Sequence, residues 1–151
     1  MRRKIYLASS WRNIHQPQMV IALRNEGHKV YDFRNPTKDN TGFNWAQVRE
    51  DYLKWSPKTF IDDLNNSEIA AEGFKLDADA LDWADTCVLI LPCGRSAHLE
   101  AGYAIGKGKD TFIYIDEDKF EPELMYLWAD KLVSNFEDLF NVTLDLVGVG
   151  V

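Results

Sequence analysis

The sequence predicts an α/β fold: a five-stranded, mostly parallel sheet with helices on both faces. Three observations carry that prediction. Short β-prone runs at 4–8 (KIYLA), 29–33 (KVYDF) and 110–115 (DTFIYI) are separated by helix-length segments, and this alternation is the unit of a parallel sheet. The run at 87–91 (CVLIL) is apolar throughout, as a buried strand is. It ends in a polar turn, Pro92-Cys93-Gly94-Arg95-Ser96, which opens a helix carrying His98 and Glu100 in its first turns. Open α/β sheets bind ligands beyond the carboxyl ends of their strands, and a helix amino terminus there presents unpaired N–H groups to anions.

The elements follow in order. After the first strand, Ser9, Ser10, Trp11, Arg12 and Asn13 form a polar loop, and Asn13 is placed to cap a helix reaching Glu26, with Gly27 as its stop. Met19, Val20 and Leu23 form its apolar face. The second strand follows at 29–33. From 34 to 66 the regular pattern lapses into loop, punctuated by Asn35-Pro36, Asn40-Thr41-Gly42 and Ser56-Pro57, with a helical turn or two between 45 and 55. This loop carries Phe43, Trp45, Tyr52, Trp55 and Phe60, which suit either a satellite hydrophobic cluster or stacking on a flat ligand.

A helix is expected over 67–84. At 100° per residue Ala70, Phe74, Asp77, Leu81 and Ala84 share one stripe, with Asp79 and Asp82 opposite. Asp77 thus interrupts an apolar stripe. A carboxylate there is either a boundary residue satisfied by a neighbouring N–H or a group put to use. The third strand and its helix come next, ended by Gly106 and Gly108. The fourth strand leads through Asp116-Glu117-Asp118 to Pro122, which suits the first turn of a short helix to about Ala129. Leu132-Val133 is a brief fifth strand, and Asn135 caps a last helix from Phe136 to Phe140 or beyond. No element is expected in the final VGVGV. The sum is a flavodoxin-like three-layer sandwich with strand order 2-1-3-4-5, which sets the first and third strands side by side.

The 151 residues are most simply one domain, 1–151, with one core. A formal charge of −7 disfavours a nucleic-acid polymer or an anionic membrane as partner. Met1-Arg2-Arg3-Lys4 looks like the start of a signal peptide, but the apolar stretch behind it is only four residues long, 5–8. No run of about 18 apolar residues occurs, and two cysteines, Cys87 and Cys93, make no disulfide framework, so the expected location is cytoplasmic. There is no G-x-G-x-x-G after the first strand, no C-x-x-C and no H-E-x-x-H, so no metal or cofactor is implied. Gly106-Lys107-Gly108-Lys109 follows a helix and precedes a strand, the wrong order for a phosphate loop. A loop without glycine after the first strand also counts against a flavin carrier.

With the first and third strands adjacent, Tyr6, the loop Ser9-Ser10-Trp11-Arg12, the turn Gly94-Arg95-Ser96 and Glu100 converge at one end of the sheet. Two carboxylates facing one sugar can serve as nucleophile and proton donor, and burial of Asp77 would favour its protonated form.

KIYLAS near the start, Asp77 eight residues before Asp85, and then HLEAGYAIGKGK together resemble the nucleoside 2-deoxyribosyltransferase family and the related 2'-deoxynucleoside 5'-monophosphate N-glycosidases. The likeness runs on through IDEDKFEPELMY and covers most of the chain. The resemblance implies that Glu100 attacks C1' of the deoxyribose and forms a covalent glycosyl-enzyme. It implies that Asp77 contacts the base and assists its proton transfer, and that Tyr6 orients the nucleophile. It further implies a nucleoside or nucleotide substrate, a free base as acceptor, and a homo-oligomer.

Two departures bear on the acceptor. The transferases have an acidic residue in the turn before the nucleophile helix, where this chain has Gly94-Arg95-Ser96, and an aromatic C-terminal extension where it has VGVGV. A cationic, hydroxyl-bearing turn at a helix amino terminus suits a 5'-phosphate, although Arg95 is equally readable as a solvated side chain. Three functions are therefore expected in order: a deoxyribosyl transferase, a deoxynucleoside monophosphate N-glycosidase, and a non-catalytic nucleotide-sensing domain.

Overall fold

A computed structural model describes residues 2–144, so the prediction for the VGVGV tail lies outside the described residues. Strands β1 Lys4–Ala8, β2 Lys29–Tyr31, β3 Thr86–Ile90, β4 Asp110–Tyr114 and β5 Lys131–Val133 form one sheet. Helices α1 Gln16–Asn25, α2 Pro57–Asn66, α3 Glu68–Trp83, α4 Arg95–Gly106 and α5 Phe136–Thr143 accompany them. Every strand pairing is parallel and the order is β2-β1-β3-β4-β5, as the sequence predicts. The short helix expected from Pro122 is a 3-10 turn, Leu124–Trp128.

The chain groups into two compact units, one of residues up to Asp32 and from Leu81 onward, the other Phe33–Ala80. The first unit holds the sheet. Side chains alternate across a strand, so Ile5 and Leu7 of β1 point to one face together with Val30, Val88, Ile90, Phe112 and Tyr114. There they meet Met19, Val20 and Leu23 of α1 and Leu139 and Val142 of α5. β3 is buried at all five positions because it is the central strand. On α4 the small residues Ala97, Ala101 and Ala104 are buried, which suits a helix backbone lying close over strands.

Two glycines terminate helices by taking the left-handed conformation. Gly27 (φ +95°) follows α1, its N–H bonding to Arg24 O at 3.0 Å while the His28 N–H bonds to Leu23 O at 3.2 Å. Gly108 (φ +76°) does the same after α4, with its N–H to Ile105 O and that of Lys109 to Ala104 O, both at 3.0 Å. Gly106, expected to share that role, is instead the last residue of α4. At the amino end of the sheet the buried Arg3 guanidinium donates to Thr86 Oγ1 at 2.9 Å and Asp110 Oδ2 at 2.7 Å, joining β1, β3 and β4.

The second unit corrects the expectation of a loop over 34–66. Ser56-Pro57, which reads as turn punctuation, opens α2: the Thr59 N–H bonds to Ser56 Oγ at 3.2 Å, and Pro57 takes the first helical position, where no N–H is needed. The expected turns inside 45–55 are present as 3-10 turns Trp45–Gln47 and Tyr52–Lys54. The five aromatics pack on one another, with ring centroids 4.8 Å apart for Phe43 and Trp45, 5.6 Å for Trp45 and Trp55, 5.3 Å for Trp55 and Phe60, and 6.0 Å for Tyr52 and Trp55. Asp63 accepts from Trp55 Nε1 at 2.7 Å and pairs with Arg49. This self-packing favours the satellite cluster over a stacking platform. The apolar stripe of α3 is also corrected, since Phe74 is 75% exposed while Ala70 and Leu81 are buried. Helical spacing sets which residues share a face, but not how much of that face is covered.

Candidate active site

The crest of β1 and β3 is built from their sequence-adjacent loops. Ser9 Oγ donates to Ile90 O at 3.1 Å, and Asn13 Nδ2 donates to Ile90 O at 3.3 Å and Pro92 O at 3.0 Å. Asn13 is also the residue expected to cap α1. The helix begins only at Gln16, yet Asn13 Oδ1 accepts the N–H groups of His15 at 2.8 Å and Gln16 at 3.1 Å. One buried amide therefore caps a helix and stitches the β1 loop to the end of β3. The peptide Leu91–Pro92 is cis.

On the α4 side of the sheet, Tyr6 is buried in the middle of β1 and its hydroxyl donates to Glu100 Oε2 on α4. Glu100 is half-buried. The Tyr6 ring stacks on Tyr31, the last residue of β2, with centroids 5.3 Å apart and planes 18° from parallel. The pairing register sets Tyr6 opposite both Tyr31 and Cys87, which explains the contact: paired residues of neighbouring strands face the same side.

The turn before α4 is held by His98. Its Nδ1 lies 2.8 Å from Gly94 O and its Nε2 lies 2.8 Å from Tyr126 Oη. A carbonyl only accepts, so Nδ1 carries the proton and Nε2 accepts from Tyr126. Gly94 caps α4 without a side chain, and Arg95 and Ser96 are exposed in its first turn. The Cys93 thiol is pushed up to about 12 by burial and, next, by the charge of Glu100, and Cys87 is pushed up by the same two causes. Neither thiol is a nucleophile near neutral pH.

Of the residues singled out from sequence, Tyr6 and Glu100 are in direct contact, Ser9 is buried against β3, and Gly94, Arg95 and Ser96 stand at the amino end of α4. Ser10 Oγ accepts the Arg12 N–H at 3.2 Å, while Trp11 and Arg12 are exposed in the same loop. Asp77 belongs to the other unit, half-buried on α3. Sequence reasoning missed Tyr31 and the His98–Tyr126 link. Strand parity could have found Tyr31, given strand order; nothing in the sequence signals Tyr126. Among the described residues no cluster of three or more His, Cys, Asp or Glu side chains could hold a metal ion, and no helix is long and apolar enough to cross a membrane.

No protein-family model and no curated protein sequence matches this chain. Solved structures do. The 2-deoxyribosyltransferase of Bacillus psychrosaccharolyticus superposes with a TM-score of 0.63 at 20% identity, over 93% of this chain and 91% of that one. The CMP N-glycosidase of Clostridium botulinum superposes with a TM-score of 0.51 at 17% identity, over 96% of this chain and 99% of that one. The chain therefore shares its fold with a 2-deoxyribosyltransferase and an N-glycosidase.

Proposed function

We propose that this protein is a deoxyribosyl transferase that cleaves the N-glycosidic bond of 2'-deoxynucleosides and passes the sugar to another base. The observation that carries the proposal is the hydrogen bond from Tyr6, in the middle of β1, to Glu100 on α4, the helix that follows the adjacent strand β3. In this reading the Glu100 carboxylate attacks C1', the C1'–N bond breaks, and its electron pair leaves with the base. Asp77 supplies the proton that neutralises the departing base. The nitrogen of a second base then attacks C1' from the opposite side and releases Glu100, while Asp77 takes back a proton. Tyr6 donates to the nucleophile, which holds it ionised and aimed. Ser9, Ser10, Trp11, Arg12, Gly94, Arg95 and Ser96 line the substrate side. The fold shared with a 2-deoxyribosyltransferase supports this reading.

One feature favours hydrolysis of 5'-monophosphates instead. Arg95 and Ser96 are exposed at the amino end of α4, where N–H groups and a cation together suit a phosphate. Water then takes the place of the second base. In either case the substrates are small molecules, and the proposal includes a cytoplasmic location, a single functional domain and a homo-oligomer. Support for the last comes from the 3-10 turn Leu124–Trp128, where Leu124, Leu127 and Trp128 are all exposed.

The test is chromatography of a purine deoxynucleoside, or its 5'-monophosphate, incubated with and without free cytosine or adenine, for wild type and Glu100→Ala. A new deoxynucleoside that the variant fails to make establishes the transferase. Free base and sugar regardless of acceptor establish the hydrolase. Nucleotide binding without cleavage of any substrate removes both and leaves a sensing domain.

A further inference from the structure

We propose that Tyr31 is a positioning residue for Glu100, acting through Tyr6. The inference rests on Glu100 being the nucleophile. Tyr6 is buried and is the group whose hydroxyl meets Glu100 Oε2, so the direction of its phenol sets the direction of the carboxylate. A tyrosine ring turns about its χ1 and χ2 bonds, and both rotations must be stopped for the hydroxyl to stay on target. The near-parallel Tyr31 ring at 5.3 Å does this from the β2 side. An offset stack of two aromatic rings is favourable beyond the area it buries, and it is lost when either ring rotates.

The register makes the contact a fixed one. Lys4, Ile5 and Tyr6 pair with Lys29, Val30 and Tyr31, so a one-residue slip of β2 would carry Tyr31 to the other face of the sheet. Three hydrogen bonds around β2 oppose that slip. The Lys29 N–H bonds to Arg3 O at 2.9 Å, Arg24 Nη2 donates to Val30 O at 2.8 Å, and Gln16 Nε2 donates to Asp32 Oδ1 at 2.8 Å. β2 is an edge strand of only three residues, yet it is tied on both sides of Tyr31. The ring therefore delivers to Tyr6 a position fixed by the backbone of β2.

The test compares wild type, Tyr31→Phe, Tyr31→Ile, Tyr6→Phe and the Tyr6→Phe/Tyr31→Ile double variant, with two readouts. The first is the 13C titration of the Glu100 carboxyl, assigned by its loss in Glu100→Gln, which needs no turnover. The second is kcat and KM on the deoxynucleoside or monophosphate that the wild type cleaves. Tyr31→Ile is expected to move the Glu100 midpoint upward, in the same direction as Tyr6→Phe, because a carboxylate that loses a donor is easier to protonate. It is expected to lower kcat about tenfold with KM within about twofold, the pattern of a lost transition-state interaction. Tyr31→Phe keeps the ring and should match wild type in both readouts. In the double variant the Glu100 midpoint should be that of Tyr6→Phe alone, as action through Tyr6 requires.

A Glu100 midpoint unchanged in Tyr31→Ile overturns the proposal. So does a fall in Tyr31→Phe equal to that in Tyr31→Ile, which would assign the role to the hydroxyl, or a raised KM at constant kcat, which would make Tyr31 a substrate contact. Should Tyr31→Ile not fold, Tyr31→Thr takes its place under the same criteria. An inactive wild type whose Glu100 titration still responds as expected would sink the glycosyl-transfer reading and leave the positioning role of Tyr31 standing.

Discussion

At the scale of single residues, the proposed chemistry rests on Tyr6 and Glu100. A hydrogen bond to a charged group contributes about 1.5–3 kcal/mol, so Tyr6→Phe should lower kcat roughly tenfold to a hundredfold while the protein keeps its fold. Steady-state kinetics with circular dichroism on the same sample checks both halves of that statement. The cysteines make a second prediction. Burial and the neighbouring Glu100 hold Cys93 as a thiol, with its pKa pushed up to about 12, and hold Cys87 the same way. Treatment of the native protein with a disulfide reagent at about pH 8 should therefore release almost no thiolate product until denaturant is added, since only thiolate reacts. Rapid reaction of the native protein would contradict the raised pKa of both thiols.

Among the elements, helix ends are the places where one substitution has a calculable effect. Gly108 sits at φ +76° with open space around its missing Cβ, so Gly108→Ala clashes with nothing and strains only the backbone. It should destabilise by about 1–2 kcal/mol, visible as a lower urea midpoint at an unchanged slope. Ser56→Ala removes the side-chain cap of α2 and should cost about 1 kcal/mol. Proteolysis of the second unit is the sensitive readout there, because the helix whose start is loosened belongs to that unit. A variant cleaved no faster than wild type would mean that the aromatic cluster alone holds α2.

For the whole molecule, His28 makes stability depend on pH on the acid side. It is buried, its Nδ1 accepts the Arg3 N–H at 3.0 Å, and its Nε2 is buried with no hydrogen-bond partner. Burial first, and the Arg3 charge next, lower its pKa from the ordinary 6.5. The unfolded chain therefore binds a proton that the folded one refuses. Stability from this group is complete above the ordinary histidine pKa and is lost as pH falls below it toward the lowered value. Urea titrations at about pH 7.5 and about pH 5 should show a loss of stability that His28→Asn shares only in part. At this scale too, a second copy covering the exposed Leu124, Leu127 and Trp128 should appear in sedimentation as an oligomer that Leu127→Asp dissociates. A monomer at high protein concentration would remove the homo-oligomer from the proposal.

The sequence by itself determined the sheet. Short β-prone runs, the apolar stretch from Cys87 that forms most of β3, and glycines after α1 and α4 are local signals, and each acts through backbone geometry that neighbours cannot easily overrule. It also brought Tyr6 of β1 toward Glu100 of α4, because α4 follows β3 and the adjacency of β1 and β3 follows from the order 2-1-3-4-5. What only the tertiary structure decided are matters of cover and reach. Phe74 shares a stripe with Leu81 but is left in water, since spacing fixes a face and not what lies against it. Ser56-Pro57 opens a helix although the same dipeptide opens turns, because the residues that follow find aromatic partners to pack on. Tyr31 reaches Tyr6, and His98 reaches Tyr126 across 28 positions, through pairings that exist only once the chain has closed. Contacts between residues far apart in sequence depend on loop closure and register, and neither leaves a local pattern to read.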